Sequence, residues 1–214
     1  MPFDYYKHLS PELKAVYRKS DSIGSVDVPN LVELSKLATQ IDEALESEKR
    51  ERVSNASNAF AAACFTALGV PNVRVHVRST RPSSDHGELH GLYTFADDED
   101  PARIEVWMRT AAHRQVVRFR TYLRTLVHEM LHHLDATLYA LPESFHTEGF
   151  YRRESALMRA LVPELAEAAK KKKKKDRAAK AAKAAEAVAT PTIPKKAPTA
   201  EERKSQSRQL DLFS

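Results

Sequence analysis

The chain has 214 residues, 42% of them hydrophobic, which suits a globular core in one or two domains. Its single cysteine, Cys64, excludes an internal disulfide framework and a cysteine-rich zinc module. The net charge of +5 is uneven: residues 169–208 carry 14 Lys or Arg against 4 Asp or Glu, whereas residues 1–168 carry 20 against 24. A basic segment beside a mildly acidic body indicates an anionic partner, most often nucleic acid.

Targeting and membrane signals are not found in the sequence. Residues 1–6 lack the charged start and the apolar stretch of a signal peptide. No run of about 18 apolar residues is present, which is the length a membrane-spanning helix needs. We therefore expect a cytoplasmic protein without a membrane partner.

The first third of the chain is predicted to be helical. Ser10 followed by Pro11 is typical of a helix start, and this helix should run to about Lys19. Residues 30–68 contain neither Gly nor Pro, and their apolar positions recur at helical spacing. The charged residues 46–52 either lie on a solvated face of one long helix or break it in two.

The apolar period changes after Pro71 from that of a helix to that of a strand. Residues 73–77 alternate Val with polar residues, and residues 91–95 and 103–108 form two more candidate strands. The polar residues 81–91 indicate a loop. Because the second and third strands are joined by a short connection, we expect a small antiparallel sheet of three strands.

A strongly apolar helix is predicted over residues 116–139, and its composition indicates that it is buried at the centre of the domain. Pro142 ends it, and another helix should follow over residues 147–161. The order of helices, strands and helices places the body, residues 1–168, in the α+β class.

The composition changes again after Ala168, and residues 169–208 are predicted to be a disordered, Lys/Ala/Pro-rich basic linker. Its lysine run can neutralise phosphates without reading base sequence, so we predict DNA or RNA binding there. The alternative is a tail that only increases solubility. The predicted nucleic-acid contacts are Lys170, Lys171, Lys172, Lys173, Lys174 and Lys175.

Residues 128–132 (HEMLH) match the pattern H-E-x-x-H within the central helix. Side chains four residues apart lie on one helical face, so His128 and His132 can each give a ring nitrogen to one Zn²⁺ ion. Glu129 adjoins the first ligand and can take a proton from an attacking water. The motif therefore predicts a catalytic zinc site with Glu129 as general base.

A catalytic zinc ion needs a third protein ligand, for which the sequence offers three candidates. His146, beyond the Pro142 turn, is the first choice, and Glu148 and Glu154 are alternatives. His133 points about 100° away from His132 and is expected to be an ordinary flanking residue. The residue that stabilises the developing oxyanion stays open among Tyr139, Tyr151 and Arg152.

These motifs resemble the SprT-like metalloproteases, whose pattern is HEM-x-H followed about fifteen residues later by His-Gly-x-x-Phe. Residues 146–150 (HTEGF) keep the spacing from His146 to Phe150, but Thr147 stands at the position of the glycine. The resemblance implies a zincin-like fold, three histidine ligands, and cleavage of proteins trapped on DNA.

The last residues, QLDLFS, resemble the short peptide with which bacterial proteins bind the sliding clamp. Apolar anchors on an otherwise polar segment are expected to dock into a partner's groove. The alternative is an end that folds back on the core. The predicted clamp-binding residues, within residues 209–214, are Gln209, Leu210, Leu212 and Phe213.

Together these features predict a zinc endopeptidase that is associated with the nucleoid and acts on proteins crosslinked to DNA. The basic linker would tether it to DNA, and the final peptide would bind the sliding clamp. Two other functions stay open. One is a non-catalytic adaptor with a structural zinc site, and the other is a general zinc peptidase without DNA involvement.

Overall fold

A computed structural model describes residues 3–85 and 87–164, which form a mixed α+β structure with a small sheet. A 3₁₀-helix, Asp4–His8, precedes the first α-helix. The α-helices are α1 (Pro11–Ser22), α2 (Leu31–Glu46), α3 (Arg50–Ala67), α4 (Phe119–Thr137) and α5 (Glu148–Leu161). The strands are β1 (Arg74–Thr80), β2 (Ser83–Ser84), β3 (Gly87–Glu88), β4 (Gly91–Thr94) and β5 (Arg103–Arg109).

The predicted helices are all present, with small differences at their ends. Ser10 caps α1 by accepting a hydrogen bond from the Leu13 backbone N–H at 3.2 Å, and α1 continues to Ser22. The charged residues 46–52 contain a break, because α2 ends at Glu46, Glu48 adopts a φ of 55° and α3 begins at Arg50. None of the helices in the described ranges has the length and apolarity of a membrane span.

The sheet of three strands is mixed, so the prediction of an antiparallel sheet was wrong for one of its two pairs. The strand order is β1-β5-β4; β4 and β5 are antiparallel as predicted, but β1 and β5 run parallel. Parallel neighbours need a connection of a dozen or more residues, and residues 81–102 supply it. The predicted loop within that connection contains the small antiparallel pair β2–β3.

The helices of the core cover one face of the sheet. Val75 and Val77 on β1 and Ile104 and Val106 on β5 are buried, and α3 and α4 pack against these strands. Helix α4 contributes several fully buried apolar side chains, as its composition predicted. These are Leu123, Leu126, Val127 and Leu131. The helix that carries HEMLH is therefore packed between the sheet and the helices α2 and α5.

The N-terminal turn of α5 is pressed against the C-terminal end of α1. Thr147 caps α5 by accepting a hydrogen bond from the Phe150 backbone N–H at 3.0 Å. The Gly149 N–H donates to Asp21 Oδ1 at 2.8 Å, and a Cβ atom on Gly149 would meet the backbone of Asp21 and Ser20. Glycine at position 149 is therefore required by the close approach of two backbones.

Gly149→Ala is expected to lower the free energy of unfolding by about 1–3 kcal/mol, because the added methyl group would force α1 away from α5. Chemical denaturation monitored by circular dichroism measures the change. Gly24→Ala is the matched control, since its Cβ would meet only Arg152 Nε at 3.6 Å. Equal stability of the two variants would contradict the close approach.

Candidate metal centre

Three histidines that the sequence singled out meet at one point of the structure. Helix α4 presents His128 and His132 one turn apart, and the segment before α5 brings His146 to them. The Nε2 atom of His146 lies 2.9 Å from Nε2 of His128 and 3.1 Å from Nε2 of His132. Within the described residues these three side chains form a group that could hold a metal ion.

The two carboxylates proposed as alternative third ligands are placed elsewhere. Glu154 Oε2 lies 2.9 Å from Nδ1 of His128, on the side of that ring that points away from the cluster. Arg124 Nε lies 3.3 Å from the other oxygen of Glu154. Glu148 is exposed on the first turn of α5 and is outside the group. Glu154 therefore orients a histidine, and His146 occupies the third position.

The tautomers of His128 and His132 follow from their partners, because a carboxylate can only accept a hydrogen bond. The Nδ1–H of His128 donates to Glu154. Ser144 Oγ donates to Asp135 at 2.7 Å, so it accepts from the Nδ1–H of His132, also at 2.7 Å. Both rings therefore direct an unprotonated Nε2 atom towards His146.

This arrangement fits a metal ion. Tetrahedral ligands at zinc–nitrogen distances of 2.0–2.1 Å stand about 3.3 Å from one another, close to the separations of His146 Nε2 from the other two Nε2 atoms. Burial, with the neighbouring His128, His146 and Arg153, lowers the pKa of His132 to about 3, so its ring is neutral as a ligand must be. A cation among the three Nε2 atoms would bind the lone pairs that His128 and His132 direct there.

Glu129 lies beside the cluster with its carboxyl group buried. It is 6% exposed, and burial raises its pKa to about 7, opposed by His128 and by the backbone N–H of Tyr93. Gly91 of β4 adjoins the carboxylate, and a Cβ atom there would collide with Oε1. The first residue of β4 is thus a glycine because Glu129 and β4 approach so closely.

A cleft of about 330 Å³ opens beside Glu129 and His128, between α4, the chain from Glu88 to Gly91 and Glu154 of α5. Most of its lining residues are polar or charged, with Glu88, His90, Arg124 and Glu154 among them. His146 is exposed at the edge of the cluster. The cluster is therefore open to a ligand from solvent, unlike a metal site enclosed on all sides by protein.

The three candidates for the oxyanion-stabilising residue are now distinguishable. The ring of Tyr151 lies 5.9 Å from that of His146 and 6.3 Å from that of His128, centroid to centroid. Tyr139 packs over the guanidinium of Arg153, and Arg152 donates to the Asp21 carbonyl at 2.6 Å. Only Tyr151, among these three, has its ring beside the histidines.

Two residues outside the cluster have structural roles. His133 is buried and bridges two elements, with Nε2 donating to the Pro71 carbonyl at 2.8 Å and Nδ1 accepting from the Tyr93 hydroxyl at 3.1 Å. It is therefore more than the flanking residue predicted. Cys64 is buried as expected, and burial raises the pKa of its thiol to about 12.

Sequence reasoning missed the partners that orient the ligands. Asp135, Ser144 and Arg153 had no predicted role, although Asp135 follows His132 by three residues and so shares its face of the helix. Ser144 precedes His146 by two residues. The predicted contacts at residues 170–175 and 209–213 lie outside the described residues.

Comparisons of the chain with protein-family models, with curated proteins and with solved structures found no match. The resemblance to SprT-like metalloproteases therefore rests on residues 128–132 and on the spacing from His146 to Phe150. The geometry of the cluster supports a metal site without reference to any relative.

Zinc is expected to raise the midpoint of thermal unfolding, because an ion that binds only the folded state stabilises it by about 2.7 kcal/mol at 100 times its Kd. His132→Ala and His146→Ala should lose this response, which differential scanning fluorimetry measures. The control is His76→Ala, a histidine on β1 away from the cluster. A zinc response that persists in both ligand variants would contradict the site.

Proposed function

We propose that this chain is a zinc-dependent endopeptidase, similar to the SprT-like metalloproteases, that cleaves proteins crosslinked to DNA. The observation that carries the proposal is the convergence of three Nε2 atoms, from His128, His132 and His146, beside the buried carboxylate of Glu129. Three imidazoles without a carboxylate ligand favour zinc over magnesium or calcium. A zincin-like fold belongs to the same proposal.

In this mechanism His128, His132 and His146 would hold the zinc ion. When bound, zinc would polarise a peptide carbonyl and lower the pKa of water. Glu129 would take a proton from the attacking water on its carboxylate and pass it to the leaving amine. Burial of Glu129 favours both roles, since its raised pKa allows the carboxyl group to gain and release a proton near neutral pH.

The position of β4 at an edge of the sheet supports the proposal that the substrate is an extended polypeptide. Strand β4 is at one edge of the three-stranded sheet and runs beside the cluster, with the Tyr93 N–H directed at Glu129. A segment of substrate can add to such an edge by main-chain hydrogen bonds, which hold a peptide without reading its side chains. A protease that acts on many trapped proteins needs this kind of recognition.

The accessibility of the cluster argues against the adaptor with a structural zinc ion. Structural zinc sites are closed by four protein ligands, whereas here the three histidines are the whole ligand group, His128 borders an open cleft and His146 is exposed. A structural role would also give no reason to bury Glu129 unpaired with a cation. A catalytic zinc site accounts for both the access from solvent and the buried carboxyl group of Glu129.

Association with DNA is supported by the charge of the linker and by a second basic surface in the described part of the chain. A cleft of about 430 Å³ along β1 and the start of α3 is lined by Arg50, Arg74, His76 and Arg78, with Glu51 opposing them and Glu105 paired to Arg78 at 2.7 Å. Burial and then Arg74 and Arg78 lower the pKa of His76, as expected where the potential is positive. Phosphate groups suit such a surface.

Recruitment by the sliding clamp is the remaining part of the proposal. The apolar residues of the final peptide would dock in a groove of the clamp, and the linker would let the catalytic domain reach nearby DNA. Two modest affinities combine through effective concentration, so neither contact needs to be strong alone.

The proposal is tested by incubating the zinc-loaded protein with a DNA-binding protein, in the presence and absence of single-stranded DNA. We expect cleavage that DNA stimulates, and Glu129→Gln should reduce it by about 10²–10⁴-fold because the general base is lost. Gel electrophoresis measures the products, and metal analysis checks that the variant keeps its zinc.

The outcomes separate the three functions. Cleavage that is indifferent to DNA would favour the general peptidase. No cleavage by protein that retains zinc would favour the adaptor. Cleavage unaffected by Glu129→Gln would remove the general-base role and with it the proposed mechanism.

Tyr151→Phe is expected to lower kcat by about 10²–10³-fold, since its hydroxyl is the candidate donor to the developing oxyanion. KM and zinc content should change little, because the ring remains in place. Tyr139→Phe is the matched control, as that ring lies over Arg153 instead of the histidines. An unchanged kcat in Tyr151→Phe would exclude the hydroxyl from catalysis.

A further inference from the structure

Behind His132 lies an ion pair that is fully enclosed by protein. Arg153 Nη2 lies 2.7 Å from Asp135 Oδ1, and both side chains are 0% exposed. Charges removed from water carry a desolvation cost that an apolar pair would avoid, so an enclosed ion pair is weak support for stability alone. Its presence beside a metal ligand calls for another explanation.

Both Nη atoms of Arg153 have hydrogen-bond partners, whereas its buried Nε atom has none among the described residues. Arg153 Nη1 donates to the carbonyl groups of Ser20 at 2.7 Å and Ile23 at 2.8 Å, which terminate α1. The Ser20 carbonyl also accepts from the Ile23 backbone N–H at 3.2 Å, so Arg153 adds a second donor at the end of α1. Although burial raises the pKa of Asp135, the Arg153 guanidinium opposes this, and both carboxylate oxygens face donors.

The second oxygen of Asp135 determines the direction of the hydrogen bonds that end at His132. Ser144 Oγ has a single hydrogen, and Oδ2 of Asp135 accepts it at 2.7 Å. The hydroxyl can then only accept from the ring, so the proton of His132 is placed on Nδ1. Nε2, the atom that faces the other histidines, is left with its lone pair.

His128 and His132 are oriented by different parts of the chain. His128 is oriented by Glu154 of α5. Glu154 also pairs with Arg124, whose side chain is 46% exposed. His132 depends on Ser144, which lies two residues before His146 in the same segment. One segment therefore carries the third histidine and also orients the second.

We infer that Ser144, held by Asp135 and Arg153, is a positioning residue that fixes His132 in the tautomer and orientation needed to bind the metal ion. The inference rests on the metal site of the proposed function and adds the group that makes one ligand competent. Partners of this kind change metal affinity by about 10–100-fold when they are removed.

The test compares Ser144→Ala with the wild-type full-length chain in two measurements. Competition with a chromophoric chelator should show zinc affinity reduced by about 10–100-fold. In the metal-free protein, ¹⁵N NMR of the histidine rings should show the Nδ1-protonated tautomer of His132 lost, with His128 unchanged. Neither measurement depends on protease activity.

Ser57→Ala is the matched control, because Ser57 Oγ is also buried and bonded, to the Tyr122 hydroxyl at 2.9 Å. It should lower stability without changing zinc affinity or the tautomer of His132. Ser144→Thr and Ser144→Val form a second, nearly isosteric pair should Ser144→Ala fail to fold. The hydroxyl of Thr should restore zinc affinity, whereas Val should not.

Each outcome bears on one proposal. Wild-type protein that binds no zinc would overturn the metal site and the proposed function, while the tautomer of His132 would still test the role of Ser144. The positioning role would be overturned if Ser144→Ala had the zinc affinity and the His132 tautomer of the wild type. It would also be overturned if Ser144→Thr and Ser144→Val bound zinc equally well. Either result would leave the protease proposal intact.

Discussion

Arg153 and Asp135 form an ion pair that water does not reach, and three helices meet at it. The guanidinium comes from α5, the carboxylate from α4, and the carbonyls that the guanidinium also binds terminate α1. Removing one partner of such a pair leaves an uncompensated buried charge, at a cost of about 3–5 kcal/mol. The three helices are thereby held in one arrangement, and His132 and His146 take their positions from it.

The features that could be predicted from sequence are those encoded locally. A helix repeats its apolar positions every three to four residues, so α4 and the pair His128 and His132 follow from a short stretch of chain. The antiparallel pairing of β4 with β5 also followed, because a short connection leaves few alternatives. His146 was found through its distance from the motif, with Glu154 left as an alternative that only three-dimensional geometry could remove.

What sequence could not predict depends on contacts between distant residues. The parallel pairing of β1 with β5 joins two strands that are separated in the sequence by residues 81–102. No hydrophobic periodicity in the sequence encodes this pairing. Arg153 binds a carbonyl 133 residues away. Thr147 departs from the glycine of the SprT-like pattern, yet it caps α5, and the glycine needed for close approach is Gly149. Roles of this kind can be recognised only when the positions of both interacting residues in the structure are known.

The energetics of the site argue that it was built for a ligand. Burial shifts the pKa of Glu129 upwards and that of His132 downwards, so burial disfavours the charged form of each group. Ser144 and Glu154 further hold two Nε2 lone pairs in one small space. In a protein that binds no ligand at this place, these arrangements would only lower the stability of the fold. A cation at the cluster would favour the ionised carboxylate of Glu129 and bind the two Nε2 lone pairs, which is why this arrangement points to function.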